Sequence, residues 1–188
     1  MSTFDNGNAV WFLMRGSGVV SLLLLTAVTA LGIATRGGVR LGSLPRFATL
    51  ALHRSISLLS VVFVAVHVTA AVIDPYAVVR LVDVFVPFAA ASKPLYVGLG
   101  AIAVDLMLAL VVTGLLRERI GQRLWRGIHW AAYAMWPVAF IHALGMGTDT
   151  STVWLRGLGI ASLAVVAGSV IWRLLRADGP PASAVAAR

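Results

Sequence analysis

The chain has no cysteine. That absence excludes disulfides, iron–sulfur clusters, cysteine-ligated zinc and covalent c-type haem attachment, so a metal or haem would need other donors and a non-covalent seat. Charge is scarce too: Asp, Glu, Lys and Arg make up 12% of a chain of 188 residues that is 60% hydrophobic. A soluble domain carries about twice that share of charge, so the balance argues for a membrane bundle. No Gly-x-Gly-x-x-Gly follows a strand-like run, and neither a dinucleotide fold nor a flavin is expected in these residues. Residues 1–9 lack Lys and Arg, so the basic start of a secretory signal is missing.

What charge there is follows a pattern. The net charge of +8 could be taken for a nucleic-acid footprint, but most arginines stand in three short clusters between apolar runs, as in cytoplasmic membrane loops. No nucleic-acid partner is expected. The apolar runs predict an all-α membrane protein, a five-transmembrane-helix bundle embedded in the lipid bilayer, with spans at about 10–34, 47–73, 95–116, 124–146 and 153–175. Basic loops after the first, third and fifth runs put the N-terminus outside and the C-terminus in the cytoplasm. Residues 1–9 then form an exoplasmic tail, 10–176 the membrane domain, and the Pro-rich 177–188 a disordered tail. Localisation follows as a multi-pass protein of the cell membrane, the inner or plasma membrane of a bacterium. Asp74-Pro75 ends the second run. The twenty residues after it carry nearly cancelling charges and read as an interfacial segment with a short amphipathic helix.

The chain's four histidines all lie within or at the ends of apolar runs. His53 and His67 stand fourteen apart in the second run; in an α-helix that is about 21 Å along the axis and about 40° short of four turns. Their rings share one side at two depths. His129 and His142 stand thirteen apart in the fourth run, which parallels the second in this topology. Depth then pairs His53 with His129 on the cytoplasmic side and His67 with His142 on the outer side. Two such pairs suit the axial positions of two stacked haems; the plainer reading is four helix histidines bonded to nearby carbonyls or hydroxyls. The thirteen-residue spacing leaves His142 about 140° short of four turns; either Pro137, between the two, kinks or rewinds the helix, or the outer haem is rotated relative to the inner one.

His-x13-His followed on the next helix but one by His-x12-His resembles the haem-binding core of the ferric reductase-like transmembrane family, which includes NADPH oxidases and ferric reductases. Cytochromes b of quinol-oxidising complexes use a similar spacing. The resemblance rests on residues 47–146, and Arg15-Gly16-Ser17-Gly18, Asp74-Pro75-Tyr76 and the run from Pro137 to Asp149 extend it toward the short actinobacterial members. It implies two haem b groups, with His53 and His129 as iron ligands of the inner one and His67 and His142 as those of the outer one. Complete oxidoreductases of the family continue into a flavin- and NADPH-binding module. This chain is expected to receive electrons from a redox partner instead, which could be a separate flavoprotein.

A charge within the bilayer costs at least about 2.5–3.5 kcal/mol, so each such residue needs a reason. Arg15 near the outer end of the first run and Arg54 near the inner end of the second are candidate partners of the haem propionates. Asp105 stands mid-span, where a structural hydrogen bond to a hydroxyl is expected. Met135 and Trp136 lie midway between the histidines of the fourth run and either pack or separate the two haems. The function expected is single-electron transfer across the membrane to an acceptor the sequence does not name. The alternatives are a haem-bearing anchor for a separate flavoprotein and a small transporter with histidine proton sites. Oligomeric state is open.

Overall fold

A computed structural model describes residues 6–36, 45–147 and 152–177. The predicted loop around Gly37, Gly38 and Arg40, the loop at Asp149, residues 1–5 of the N-terminal tail and residues 178–188 of the C-terminal tail lie outside the described residues. Every described element is a helix: α1 (Asn6–Arg36), α2 (Arg46–Ile73), α3 (Leu81–Phe85), α4 (Pro94–Leu115), α5 (Arg117–Ile120), α6 (Gln122–His129), α7 (Ala132–Met146) and α8 (Val153–Ala177). Four of these, α1, α2, α4 and α8, are long and apolar enough to cross a membrane. Large apolar side chains such as Leu58, Leu115, Ile160 and Leu174 stand on their outer surfaces, as lipid-facing residues do. Several of the hydroxyls these helices carry are satisfied locally. Ser21 donates to the Ser17 carbonyl at 2.7 Å, Ser60 to Ile56 at 2.8 Å and Thr113 to Ala109 at 2.6 Å, each one turn back, where no water is needed.

The fourth predicted span is two helices. α6 and α7 meet at Trp130 and Ala131, and α7 alone has 15 residues, about 22 Å of helix against a hydrocarbon core of about 30 Å. The joint is a run of tight i to i+3 bonds: Trp130 N–H to Gly127 O at 3.2 Å, Ala131 to Ile128 at 2.9 Å, Tyr133 to Trp130 at 3.0 Å and Ala134 to Ala131 at 3.0 Å. Trp130 (φ −63, ψ −24) and Ala131 (φ −61, ψ −20) have 3₁₀ dihedrals. Rewinding was expected at Pro137; it occurs here, and Pro137 lies inside α7.

Residues 74–93 form a strap over one end of the bundle. The Asp74 side chain accepts the Tyr76 N–H at 2.8 Å and ends α2. Within the strap, Arg80 grips the buried Asp83 through its backbone N–H (2.9 Å), Nε (3.1 Å) and Nη2 (2.7 Å), and Nη2 also reaches the Ala89 carbonyl at 3.0 Å. The guanidinium bonded to it, helped by the Arg80 N–H, holds the Asp83 carboxyl below the usual carboxylate range. The short helix expected here is α3, and the cancelling charges are this pair. The Phe88 ring lies on Gly98 of α4 so closely that a Cβ there would overlap it, which seats the strap on the bundle.

α1 is the centre of the packing. It lies along α2 and touches α7 and α8, while α4 packs on α7 and α3. The buried core, Leu25, Met107, Met135, Trp136 and Val166, joins α1, α4, α7 and α8. Trp136 donates Nε1–H to Thr26 Oγ1 at 2.9 Å and stacks on Phe140. α2 and α7, which carry three of the four histidines, hardly touch each other.

Candidate functional site

His67 of α2 and His142 of α7 face each other across the space between their helices. Their ring centroids are 6.3 Å apart and their planes stand at 83°. Each ring is fixed from behind by a helix other than its own. His67 Nδ1 lies 2.7 Å from the Met14 carbonyl of α1, and His142 Nδ1 lies 2.7 Å from the Tyr96 carbonyl of α4. A carbonyl can only accept, so the proton belongs on Nδ1 of each ring and Nε2 keeps its lone pair. That is the arrangement of a metal-ligating imidazole whose far nitrogen is held by a backbone carbonyl.

The rings come this close to their supporting helices because glycine lies beneath them. A Cβ at Gly18 would meet the His67 ring at 2.9 Å, and one at Gly100 would meet the His142 ring at 2.7 Å. Both are closer than real side chains pack. A mostly apolar cavity of about 1100 Å³ opens beside the pair, reaching Arg15, Asp74, Asp83 and Lys93 at its polar edge; small-molecule and cofactor sites run to about 1,000 Å³.

The other two histidines are arranged differently. His53, fourteen residues before His67, lies over Gly32 of α1, where a Cβ would stand 3.4 Å from its ring. Its buried Nδ1 turns toward the Val28 carbonyl without reaching hydrogen-bond geometry. His129 ends α6 and stacks on Trp125, with centroids 5.0 Å apart and planes at 24°. His53 makes no ring contact with it among the described residues. The structure thus joins one predicted pair, His67 with His142, and leaves His53 and His129 apart.

Of the charged candidates, Arg15 borders the cavity and lays its guanidinium 4.4 Å above the Trp11 ring. Arg54 is exposed beside His53 and lies away from that cavity. Asp105 is half-buried on α4, and the hydroxyl partner expected for it is absent among the described residues. Met135 and Trp136 are buried at mid-depth, between the two histidine levels, as part of the packed core.

The residues the sequence reading missed are the glycines and the carbonyls one turn before them. The signal was present: Gly18 and Gly32, and likewise Gly100 and Gly114, stand fourteen apart, the spacing of His53 and His67.

Compared with known proteins, residues 17–140 match the ferric reductase-like transmembrane component family, a stretch that holds His53, His67 and His129 and ends two residues before His142. The chain belongs to the ferric reductase-like transmembrane family. No curated protein and no solved structure matches it. For a family member, the donor set is informative: among the described residues no group of three or more His, Asp or Glu side chains converges. A protein-only zinc site needs three or four such ligands. Two opposed imidazoles suit a metal that brings its remaining ligands with it.

Proposed function

We propose that this chain carries single electrons across the membrane through two b-type haems, the inner one ligated by His53 and His129 and the outer one by His67 and His142. One observation carries this reading. Two imidazoles on one axis across a single ion, with metal–nitrogen bonds of about 2 Å, put their centroids about 6 Å apart, and the rings of His67 and His142 stand at 6.3 Å with both Nδ1 atoms already committed to carbonyls. The scant contact between α2 and α7 supports it, since a flat group needs that gap. When bound, the haems supply one-electron iron chemistry.

The chain's own residues do the rest. Met14 and Tyr96 fix the outer imidazoles as neutral Nε2 donors, and Gly18 and Gly100 let them retreat far enough to open the slot. Arg15, at the edge of the outer cavity, offers a cation to a propionate, as Arg54 does on the inner side. With two histidines to hold each haem, an acceptor would take its electron at the edge of the site. In the membrane, α6 and α7 together make the fourth of five crossings, with the N-terminus outside and the C-terminus in the cytoplasm. The exposed Arg117, Arg119, Arg123 and Arg126 then form a cytoplasmic face for an acidic electron donor.

The same cluster favours the second reading, a haem-bearing anchor that docks and wires a separate flavoprotein without a free substrate of its own. Purified protein separates the two. Visible spectra should show the split α-bands of low-spin haem b, with dithionite reducing both haems. Rapid reoxidation by ferric chelate or oxygen supports the electron carrier, indifference to both supports the anchor, and a haem-free protein contradicts both.

A further inference from the structure

Three of the four histidine rings lie over a glycine of a neighbouring helix, and two of them also bond the carbonyl four residues before that glycine. For His67 these are Gly18 and Met14, and for His142 Gly100 and Tyr96, while His53 lies over Gly32 with its Nδ1 unbonded. The pattern repeats along each supporting helix. Fourteen residues forward on α1, from Gly18 to Gly32, match fourteen back on α2, from His67 to His53. Fourteen residues forward on α4 from Gly100 lead to Gly114, with the Leu110 carbonyl one turn before it. Nothing among the described residues comes within 4 Å of a Cβ built at Gly114. This place has the same parts as the seats of His67 and His142 and, among the described residues, no ring over it.

We infer that the Leu110 carbonyl and Gly114 are the seat of the His129 ring when the inner haem is bound, and that Gly114 is a positioning residue for that ligand. The inference rests on the two-haem reading. Thirteen residues back from His142 is His129, and fourteen is Ile128, so a plain α-helix would bring His129 to Gly114's level about 100° out of phase. The 3₁₀ joint reduces this. Each of its residues turns about 20° more and rises about 0.5 Å more than an α-helical one. Trp130 and Ala131, the two residues with 3₁₀ dihedrals, recover roughly 40° and about 1 Å of rise. The joint turns His129 toward the phase that Gly114 needs. To lie over Gly114 the ring must leave its stack on Trp125.

The test uses the purified full chain, with Gly114→Ala set against Gly168→Ala. Both glycines lie in apolar helices with no described atom near a Cβ, so on packing alone both variants should fold and load as the parent does. Haem per chain and a potentiometric titration are measured for each, and the wave that His53→Ala removes defines the inner haem. The inference expects Gly114→Ala to halve the haem content or to shift the inner wave alone, with Gly168→Ala indistinguishable from the parent. Parent-like haem content and both waves unmoved in Gly114→Ala would overturn it, as would loss of both haems in that variant. A parent that binds only the outer haem overturns the seat and leaves the outer site standing; a parent that binds none overturns the haem reading itself.

Discussion

The His67–His142 level and the His53–His129 level are built from the same residue types, yet only the first is assembled. There two hydrogen bonds of 2.7 Å and two glycine contacts fix both rings. At the second level His53 has the glycine but not the hydrogen bond, and His129 lies on Trp125. The difference lies in helix register. α1 and α2 run as one unbroken antiparallel pair, so what aligns at one end aligns at the other. α4 lies beside an α6–α7 run that is one residue shorter between its histidines and interrupted by the joint, so alignment at His142 carries through to His129 only by way of that joint. An imidazole site inside a membrane is thus made by two helices, one presenting the ring and one presenting a carbonyl and a gap.

The largest expected effect breaks the comparison outright. His67→Ala or His142→Ala should remove the outer haem and spare the inner, taking haem from about two per chain to about one and abolishing transfer across the membrane. Haem content and electron transfer in reconstituted vesicles check this, and both variants should give the same residual spectrum.

Next come the glycines under the rings. Gly18→Ala forces the His67 ring away from a 2.9 Å contact while Met14 holds its Nδ1, and such overpacking costs about 1–3 kcal/mol. Gly32→Ala meets His53 at 3.4 Å and should be milder. Melting temperatures and outer-haem occupancy measured side by side should fall further for Gly18→Ala; equal losses would show that the two levels are equally tight.

Trp136→Phe should act on both levels alike. It removes a buried Nε1–H bond to Thr26 midway between them, at about 1 kcal/mol, and should lower the melting temperature while moving neither redox wave relative to the other.

The smallest effect sharpens only the side that the strap covers. Asp83 is held below its ordinary value of 3.8 by Arg80, so its unfolded-state value is the higher one. The stabilisation is therefore complete above about pH 4 and is lost as pH falls through the folded value. Asp83→Asn should remove that acid dependence, and hydrogen exchange in residues 74–93, compared at neutral and acid pH, reads it.

Much of this was legible beforehand. Apolar runs gave the helices, Asp74-Pro75 the end of α2, and the His53–His67 spacing two rings on one side at two depths. The thirteen-residue spacing left two readings, a kinked or rewound fourth run or a rotated outer haem. The joint could not be placed, because Trp130 and Ala131 are ordinary helix residues, whereas Pro137 carries an obvious signature and stays in its helix. The ring anchors were equally hidden. Met14 and Tyr96 contribute backbone carbonyls, which every residue has, and only the glycines four residues on mark the places.

The central claim is that two levels of paired histidines each hold one haem. Its most direct measurement is haem per chain on the purified protein, joined to a potentiometric titration of the parent and of His53→Ala and His67→Ala. About two low-spin haems in two waves are expected for the parent, with each variant keeping one haem and losing a different wave. A parent without haem, or two variants that lose the same wave, would contradict it.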